Sequence, residues 1–161
     1  MGKIELYGTR MASPLGPLSI WGSSHAVESI GWNSDQASAA QAATQSCPVI
    51  DECAKQLRAY FDGRLTTFDI PTAPAGTAFQ RSVWQLLMDI PFGQTLSYGQ
   101  LAQTLQPPSG PRAIGSAVGR NPILLVLPCH RIIGSRGDLT GFAGGLERKE
   151  WLLTHEGSIL C

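Results

Sequence analysis

The segment Pro71-Thr72-Ala73-Pro74-Ala75-Gly76 constrains the fold of this 161-residue chain more than any other. Proline fixes φ and lacks a backbone donor, so two prolines and a glycine this close together cannot extend a helix. Secondary structure has to be completed on either side, and the segment reads as a linker. The organisation expected is an N-terminal domain over 1–70, a linker over 71–76 and a C-terminal domain over 77–161. A hydrophobic content of 43% is enough for a sizeable core, in one domain or two small ones.

Formal net charge is zero, which argues against binding polyanions by bulk charge alone. The distribution is less even. Up to Ala75 there are five Lys/Arg against seven Asp/Glu, a net −2, and from Gly76 onward seven against five, a net +2. A nucleic acid partner would meet the second half. No apolar run is long enough to span a bilayer. Met1-Gly2-Lys3-Ile4-Glu5-Leu6 lacks the apolar stretch of a signal peptide, and Leu6 breaks the myristoylation pattern. The expected location is the cytoplasm, or the nucleus of a eukaryotic cell. Cys47, Cys53, Cys129 and Cys161 form no closely spaced pair of the zinc-ligand kind, so neither disulfides nor a zinc knuckle are expected.

Leu18-Ser19-Ile20-Trp21 and Val27-Glu28-Ser29-Ile30-Gly31-Trp32 flank Gly22-Ser23-Ser24-His25 and predict a hairpin, with His25 solvated in the turn. A helix is expected from about Ile50 to Phe61. Thr77-Ala78-Phe79-Gln80 and Ser97-Tyr98-Gly99-Gln100 are both capping-box patterns, each followed by apolar residues at helical spacing. Gln106-Pro107-Pro108-Ser109-Gly110 forces a turn, and Pro111-Arg112 opens a third helix to about Gly119, so the pair around the turn has the form of a helix-turn-helix. The third helix is rich in small residues, which cost helix propensity. Two explanations are open: tight packing against another helix, or close approach of Gly115 and Ser116 to a phosphate backbone, with Arg112 at the N-terminal end.

Leu127-Pro128-Cys129-His130-Arg131 carries the chemistry. Free cysteine titrates near pH ~8.5, and cationic neighbours lower that by several units, so beside an imidazole and a guanidinium Cys129 is expected to ionise easily. The apolar run Ile123-Leu124-Leu125-Val126-Leu127 reads as a buried strand delivering Cys129 to its end. Taken alone, Cys129 is either a nucleophile or a buried structural thiol.

Around it the motifs form a pattern. Arg112-Ala113-Ile114-Gly115, Asn121-Pro122, Leu127-Pro128-Cys129-His130-Arg131, Gly144-Gly145 and Lys149-Glu150-Trp151-Leu152-Leu153 follow in order. With Gly93-Gln94-Thr95-Leu96-Ser97-Tyr98 before them, the stretch from Phe79 to Gly157 resembles the O6-alkylguanine-DNA alkyltransferases. The first half resembles that family mainly at Ser13-Pro14-Leu15-Gly16. The resemblance implies an α/β N-terminal domain, a small antiparallel sheet plus a helix. A mostly helical C-terminal domain would follow, with a helix-turn-helix and an active-site loop.

It also implies the activity. The partner would be double-stranded DNA containing O6-alkylguanine, bound through the minor groove by a protein monomeric in solution, with cooperativity along DNA left open. A base stacked in the duplex can be reached only if it is flipped out. By position, Arg112 would fill the vacated stack and Tyr98 would push the target phosphate aside. Ser97, Ala113, Gly115 and Ser116 would lie against DNA. Cys129 would attack the alkyl carbon, with His130 linked to it through a water and Glu156 behind the imidazole, as in a Cys-His-acid constellation. The thioether product is inert to water, so each molecule would act once, with neither metal nor organic cofactor. Val118, Ile132, Phe142 and Ala143 would line the substrate pocket, and Asn121 and Arg131 would be structural supports. Phe142 departs from the family's usual tyrosine and removes a donor to the leaving O6. Glu147, Arg148, Lys149 and Glu150 are expected on a solvated helix face, with Trp151, Leu152 and Leu153 inward. The competing functions are a non-catalytic alkylated-DNA-binding protein, which Cys129 argues against, and a helix-turn-helix transcription regulator, which leaves the cysteine motif unexplained.

Overall fold

Ser13 and Gly16 close the first turn of the chain. Ser13 Oγ accepts from the Leu15 N–H at 3.1 Å, and the Gly16 N–H donates to the Ser13 carbonyl at 3.1 Å. Gly16 has φ 106°, a conformation that a side chain would strain. The turn joins β1 (Tyr7–Met11) to β2 (Leu18–Gly22), and the predicted hairpin follows as β2 and β3 (Val27–Gly31). The three strands form one antiparallel sheet in the order β1-β2-β3. The computed structural model describes residues 5–32, 45–105 and 110–158, in two compact units, 1–75 and 76–161. The turn expected at Gln106–Ser109, Cys161 and the first four residues lie outside the described residues.

Helix α1 (Pro48–Phe61) packs on the sheet of the first unit. Pro48 opens it, where a missing N–H costs nothing. Ile50, Cys53, Ala54, Leu57 and Tyr60 recur at helical spacing and are buried. Removing each large apolar side chain from water is worth roughly 1.5–3 kcal/mol. Pro71–Gly76 ends the unit without forming a helix. Its first part is tied down, since the Val27 N–H donates to the Pro71 carbonyl at 2.9 Å and the Ala73 N–H to the Val27 carbonyl at 2.8 Å.

In the second unit both capping boxes form, at the starts of α2 (Ala78–Leu87) and α3 (Tyr98–Thr104). Thr77 and Ser97 accept from the N–H of Gln80 and Gln100, whose side chains accept in return from the Thr77 and Ser97 N–H groups. Helix α4 (Pro111–Gly119) packs on both, and Trp84 Nε1 of α2 donates to the Ala117 carbonyl at 2.8 Å. The chain then passes through a 3-10 turn (Cys129–Arg131), β5 (Ile132–Ile133) and α5 (Leu146–His155). Strand β4 (Leu96–Ser97) pairs with β5 in parallel, Leu96 with Ile132 and Ser97 with Ile133. That pairing brings the start of α3 beside the chain just past Cys129. The architecture is the one the resemblance implied: a small antiparallel sheet with a helix, then a mostly helical unit. Among the described residues no helix is long and apolar enough to cross a membrane.

The run Ile123–Leu127 is buried as expected, but it is not a strand. It folds into turns closed by the Leu127 N–H donating to the Ile123 carbonyl at 3.0 Å. Asn121 imposes this. Its Nδ2 donates to the Leu127 carbonyl at 2.7 Å and its Oδ1 accepts from the Ile123 N–H at 2.9 Å, so one side chain holds both ends of the loop. Leu125 is left at φ 75°, the left-handed region that a leucine enters only when its surroundings enforce it.

Candidate active site

Cys129 begins the 3-10 turn directly after this loop, and the Arg131 N–H closes the turn on the Pro128 carbonyl at 3.0 Å. Three successive side chains therefore splay apart. The thiol is 3% exposed, and His130 is completely buried. His130 Nε2 lies 2.7 Å from Glu156 Oε2. Arg131 donates from Nε to Glu156 Oε1 at 2.8 Å and from a terminal nitrogen to Oε2 at 3.1 Å, a two-point grip on the same carboxylate. Its other terminal nitrogen donates to the Ile90 carbonyl at 2.6 Å, and its guanidinium carbon is 5.9 Å from the centre of the Phe92 ring. Glu156 reaches this cluster because it caps the C-terminus of α5.

Burial alone would push the Glu156 carboxyl up, but the hydrogen bonds and charges of His130 and Arg131 outweigh it and bring the group to about 2. The carboxylate is ionised, and Arg131 is its permanent counter-ion. Burial lowers the His130 pKa against the pull of Glu156, with Arg131 and Lys149 lowering it further. Neutral His130 then donates from Nε2 to Glu156 and presents the lone pair of Nδ1. That nitrogen is buried and has no hydrogen-bond partner among the described residues.

The thiol differs from expectation. Burial pushes Cys129 up to about 11, and a hydrogen bond with the Asn121 side chain and the charge of Lys149 offset only part of this. In the resting protein Cys129 is a protonated thiol, because the neighbouring cations are offset by loss of hydration. Any reaction at the sulfur would require that proton to leave.

The other residues expected at a site separate into two groups. Phe142 is half-buried with its ring edge-on to His130 at 6.4 Å, and Ile132 in β5 and Val118 in α4 are buried. Ala143 is exposed in the same loop as Phe142. On α4, Arg112, Ala113 and Ser116 are exposed, whereas Ile114, Ala117 and Val118 are buried. A methyl added at Gly115 would meet the Tyr98 ring at 3.8 Å, an ordinary contact. Packing therefore accounts for the buried face but not for small residues on the open one. Ser97 and Tyr98 are half-exposed at the start of α3, and the Thr140 hydroxyl donates to Tyr98 Oη at 2.9 Å.

Lys149 was expected in solvent and is completely buried. It lies on the same helical face as Leu152, Leu153 and Glu156, so the spacing that turns those residues inward turns it inward too. Trp151, expected inside, is only half-buried and stacks on His155 at 4.9 Å. Thr140 and Lys149 are the two residues near the site that motif reasoning missed. Among the described residues no group of three or more His, Cys, Asp or Glu could hold a metal ion.

The Glu156 cluster makes stability depend on pH. The lowered carboxyl contributes stability that is fully present above about 4.5 and is lost as pH falls toward about 2. His130, also lowered, acts in the same direction, since acid below 6.5 favours the unfolded chain, in which it can charge. Urea midpoints should therefore fall on acidification. In Glu156→Ala the loss should already be present at neutral pH, about 3–5 kcal/mol, because Arg131 is left buried without its partner.

Residues 78–158 match the family model described as 6-O-methylguanine DNA methyltransferase, DNA binding domain. Residues 6–74 match the one described as 6-O-methylguanine DNA methyltransferase, ribonuclease-like domain. A Methanosarcina acetivorans protein named methylated-DNA–protein-cysteine methyltransferase is 40% identical over 95% of this chain and 99% of its own length. A Shigella flexneri protein of the same name is 57% identical over 65% of this chain, and the match spans 62% of that relative's length. The crystal structure of Mycobacterium tuberculosis OGT in complex with DNA superposes with a TM-score of 0.84 at 39% identity, covering 94% of this chain and 93% of that one.

Proposed function

The chain belongs to the 6-O-methylguanine DNA methyltransferase family, and from that membership we propose that it repairs O6-alkylguanine in duplex DNA by moving the alkyl group irreversibly onto Cys129. The observation that carries this reading is the buried His130-Glu156-Arg131 cluster adjoining a buried thiol. Neither passive lesion binding nor transcription regulation needs a base held next to a cysteine.

The protein binds the minor groove with the open face of α4, where Ala113, Gly115 and Ser116 let the helix approach closely and Ser97 adds a contact. Tyr98 presses on the target phosphate and Arg112 occupies the gap left by the flipped base, offsetting lost stacking. The base enters between Val118, Ile132, Phe142 and Ala143. His130 Nδ1 takes the thiol proton through a water, and Glu156 stabilises the imidazolium that forms. The sulfur forms a bond to the alkyl carbon as the carbon–O6 bond breaks, and that electron pair leaves on guanine. Guanine gains a proton at N1 and His130 gives its proton up, so the balance closes on neutral guanine and a thioether. The thioether does not hydrolyse, and one molecule repairs one lesion. Asn121 and Arg131 hold the loop and the acid in place. No step of this reaction calls on a metal or an organic cofactor. The protein acts as a monomer, cooperatively or not, in the compartment that holds DNA: the cytoplasm, or the nucleus in a eukaryotic cell.

Titrating protein into duplex bearing one O6-methylguanine and counting the remaining lesions tests the reading. Lesion loss should equal the protein added and then stop; turnover beyond one equivalent, or none, would overturn it.

Phe142 can pack against a flipped purine but cannot donate to the leaving oxygen. One preorganised donor can be worth about 2.7–4 kcal/mol where negative charge develops. Backbone N–H groups near Ala143 carry part of that, so Phe142→Tyr should speed single-turnover methyl transfer modestly, by about tenfold or less, ~1.4 kcal/mol. Affinity for DNA should barely change.

A further inference from the structure

Lys149 is completely buried and has no carboxylate partner among the described residues. Its Nζ donates instead to two main-chain carbonyls, that of Ile132 in β5 and that of Thr140 at 3.2 Å. Carbonyl dipoles compensate a buried charge only in part, so a fold keeps such a group at a cost in stability. A leucine or methionine would fill the same volume on the face shared with Leu152 and Leu153 without that cost. The position needs an explanation beyond packing.

The surroundings supply one. Lys149 and Cys129 are close enough for each charge to favour the other. The other ionisable groups at this site are His130 and Arg131 in the 3-10 turn and Glu156 beyond α5, with Tyr98 reached through Thr140. Arg131 and Glu156 cancel, and His130 is neutral at rest. Lys149 therefore leaves one uncompensated positive charge, and a thiolate at Cys129 is the group that would neutralise it. The same ammonium ties β5 to the loop that carries Phe142. Thr140 is the shared link, because its carbonyl accepts from Lys149 while its hydroxyl donates to Tyr98.

We propose that Lys149 is a positioning residue for alkyl transfer, whose buried ammonium pins β5 to the Thr140–Phe142 loop and provides the counter-charge for the Cys129 thiolate. This rests on the alkyl-transfer reading given above. Burial lowers the Lys149 pKa, and a thiolate at Cys129 pulls it back up; the proton lost by the thiol still goes to His130. Because Thr140 also holds Tyr98, the group that meets DNA and the charge beside the nucleophile share one tether.

The test compares wild type, Lys149→Met and Lys149→Gln. Alkylation of Cys129 by iodoacetamide, followed against pH by peptide mass mapping, reads the thiolate without DNA. Both variants should react about tenfold more slowly at neutral pH, with the profile displaced upward by about one pH unit. Single-turnover methyl transfer from duplex should fall at least as much. The melting temperature of Lys149→Met balances relief of a buried charge against two carbonyls left without their donor, so the pH profile decides. A lysine that only ties β5 to the loop predicts an unchanged pH profile in both variants, which would overturn the proposal.

If either variant fails to fold, the wild-type protein still decides. Lysine side-chain NMR should show Lys149 titrating at lower pH once Cys129 is blocked by iodoacetamide, because no thiolate can then form. An unchanged midpoint would contradict the proposal. Failure of wild-type protein to take a methyl group from DNA would instead contradict the alkyl-transfer reading, whatever the iodoacetamide profiles show.

Discussion

Cys129→Ala should lose alkyl transfer completely while keeping nearly all of its affinity for duplex DNA. In the proposed reaction the nucleophile is one sulfur atom, whereas binding would rest on the exposed residues of α4 and the start of α3, which the substitution does not touch. The site should also tolerate the change structurally. Losing a buried sulfur leaves a small cavity, a cost of about 1 kcal/mol, and the His130-Glu156-Arg131 cluster keeps its hydrogen bonds. Electrophoretic mobility shifts with lesion-bearing duplex and single-turnover assays with labelled methyl groups measure the two properties separately. Label on the Ala variant would direct attention to Cys47, Cys53 or Cys161. Of these, Cys53 is fully buried in α1 and its thiol is pushed up to about 12 by that burial, so it is a poor nucleophile.

Arg112→Ala should slow repair of duplex DNA by far more than it slows reaction with free O6-benzylguanine. The free base has no stack to fill and no partner strand to leave, so the cost of flipping is absent from its reaction. Arg112 is exposed at the N-terminal end of α4, away from the buried face that packs on α2 and α3, and its loss should leave the fold intact. Losing one filler of the gap should slow the duplex reaction by about 10- to 100-fold, ~1.4–2.7 kcal/mol, with little change for the free base. Rates that fall together on both substrates would mean that Arg112 supports the pocket and not the flipped state.

How much of this was legible in advance depended on the range of the interaction. The two capping boxes are local, each closed within four residues, and both appeared where Thr77/Gln80 and Ser97/Gln100 place them. The hairpin of β2 and β3 and the helix α1 followed from short-range pattern in the same way. Strand β1 carries no comparable short-range pattern: its pairing with β2 is set by the sheet and by the Ser13–Gly16 turn. Ile123–Leu127 misled because a short apolar run is equally consistent with a buried strand and a buried turn. The side chain of Asn121, bonded across the loop, decides between them. Cys129 stands out in the sequence as a candidate nucleophile by its motif, but its ionisation is not legible there. Neighbours in sequence suggested a lowered pKa, and burial, which sequence does not display, raises it. Lys149 was obscured by its charge. Its position relative to Leu152 and Leu153 pointed inward, and the ordinary preference of lysine for water concealed that.

The roles given to Cys129, His130 and Glu156 stand or fall with the destination of the alkyl group. Wild-type protein incubated with duplex DNA containing O6-methylguanine, then digested and mapped by mass spectrometry, measures it. The account predicts one added methyl group per molecule, on the peptide containing Leu127-Pro128-Cys129-His130 and on the Cys129 sulfur, with unmodified guanine recovered in the DNA. A methyl group on another cysteine, or DNA that regains guanine while the protein stays unmodified, would contradict it.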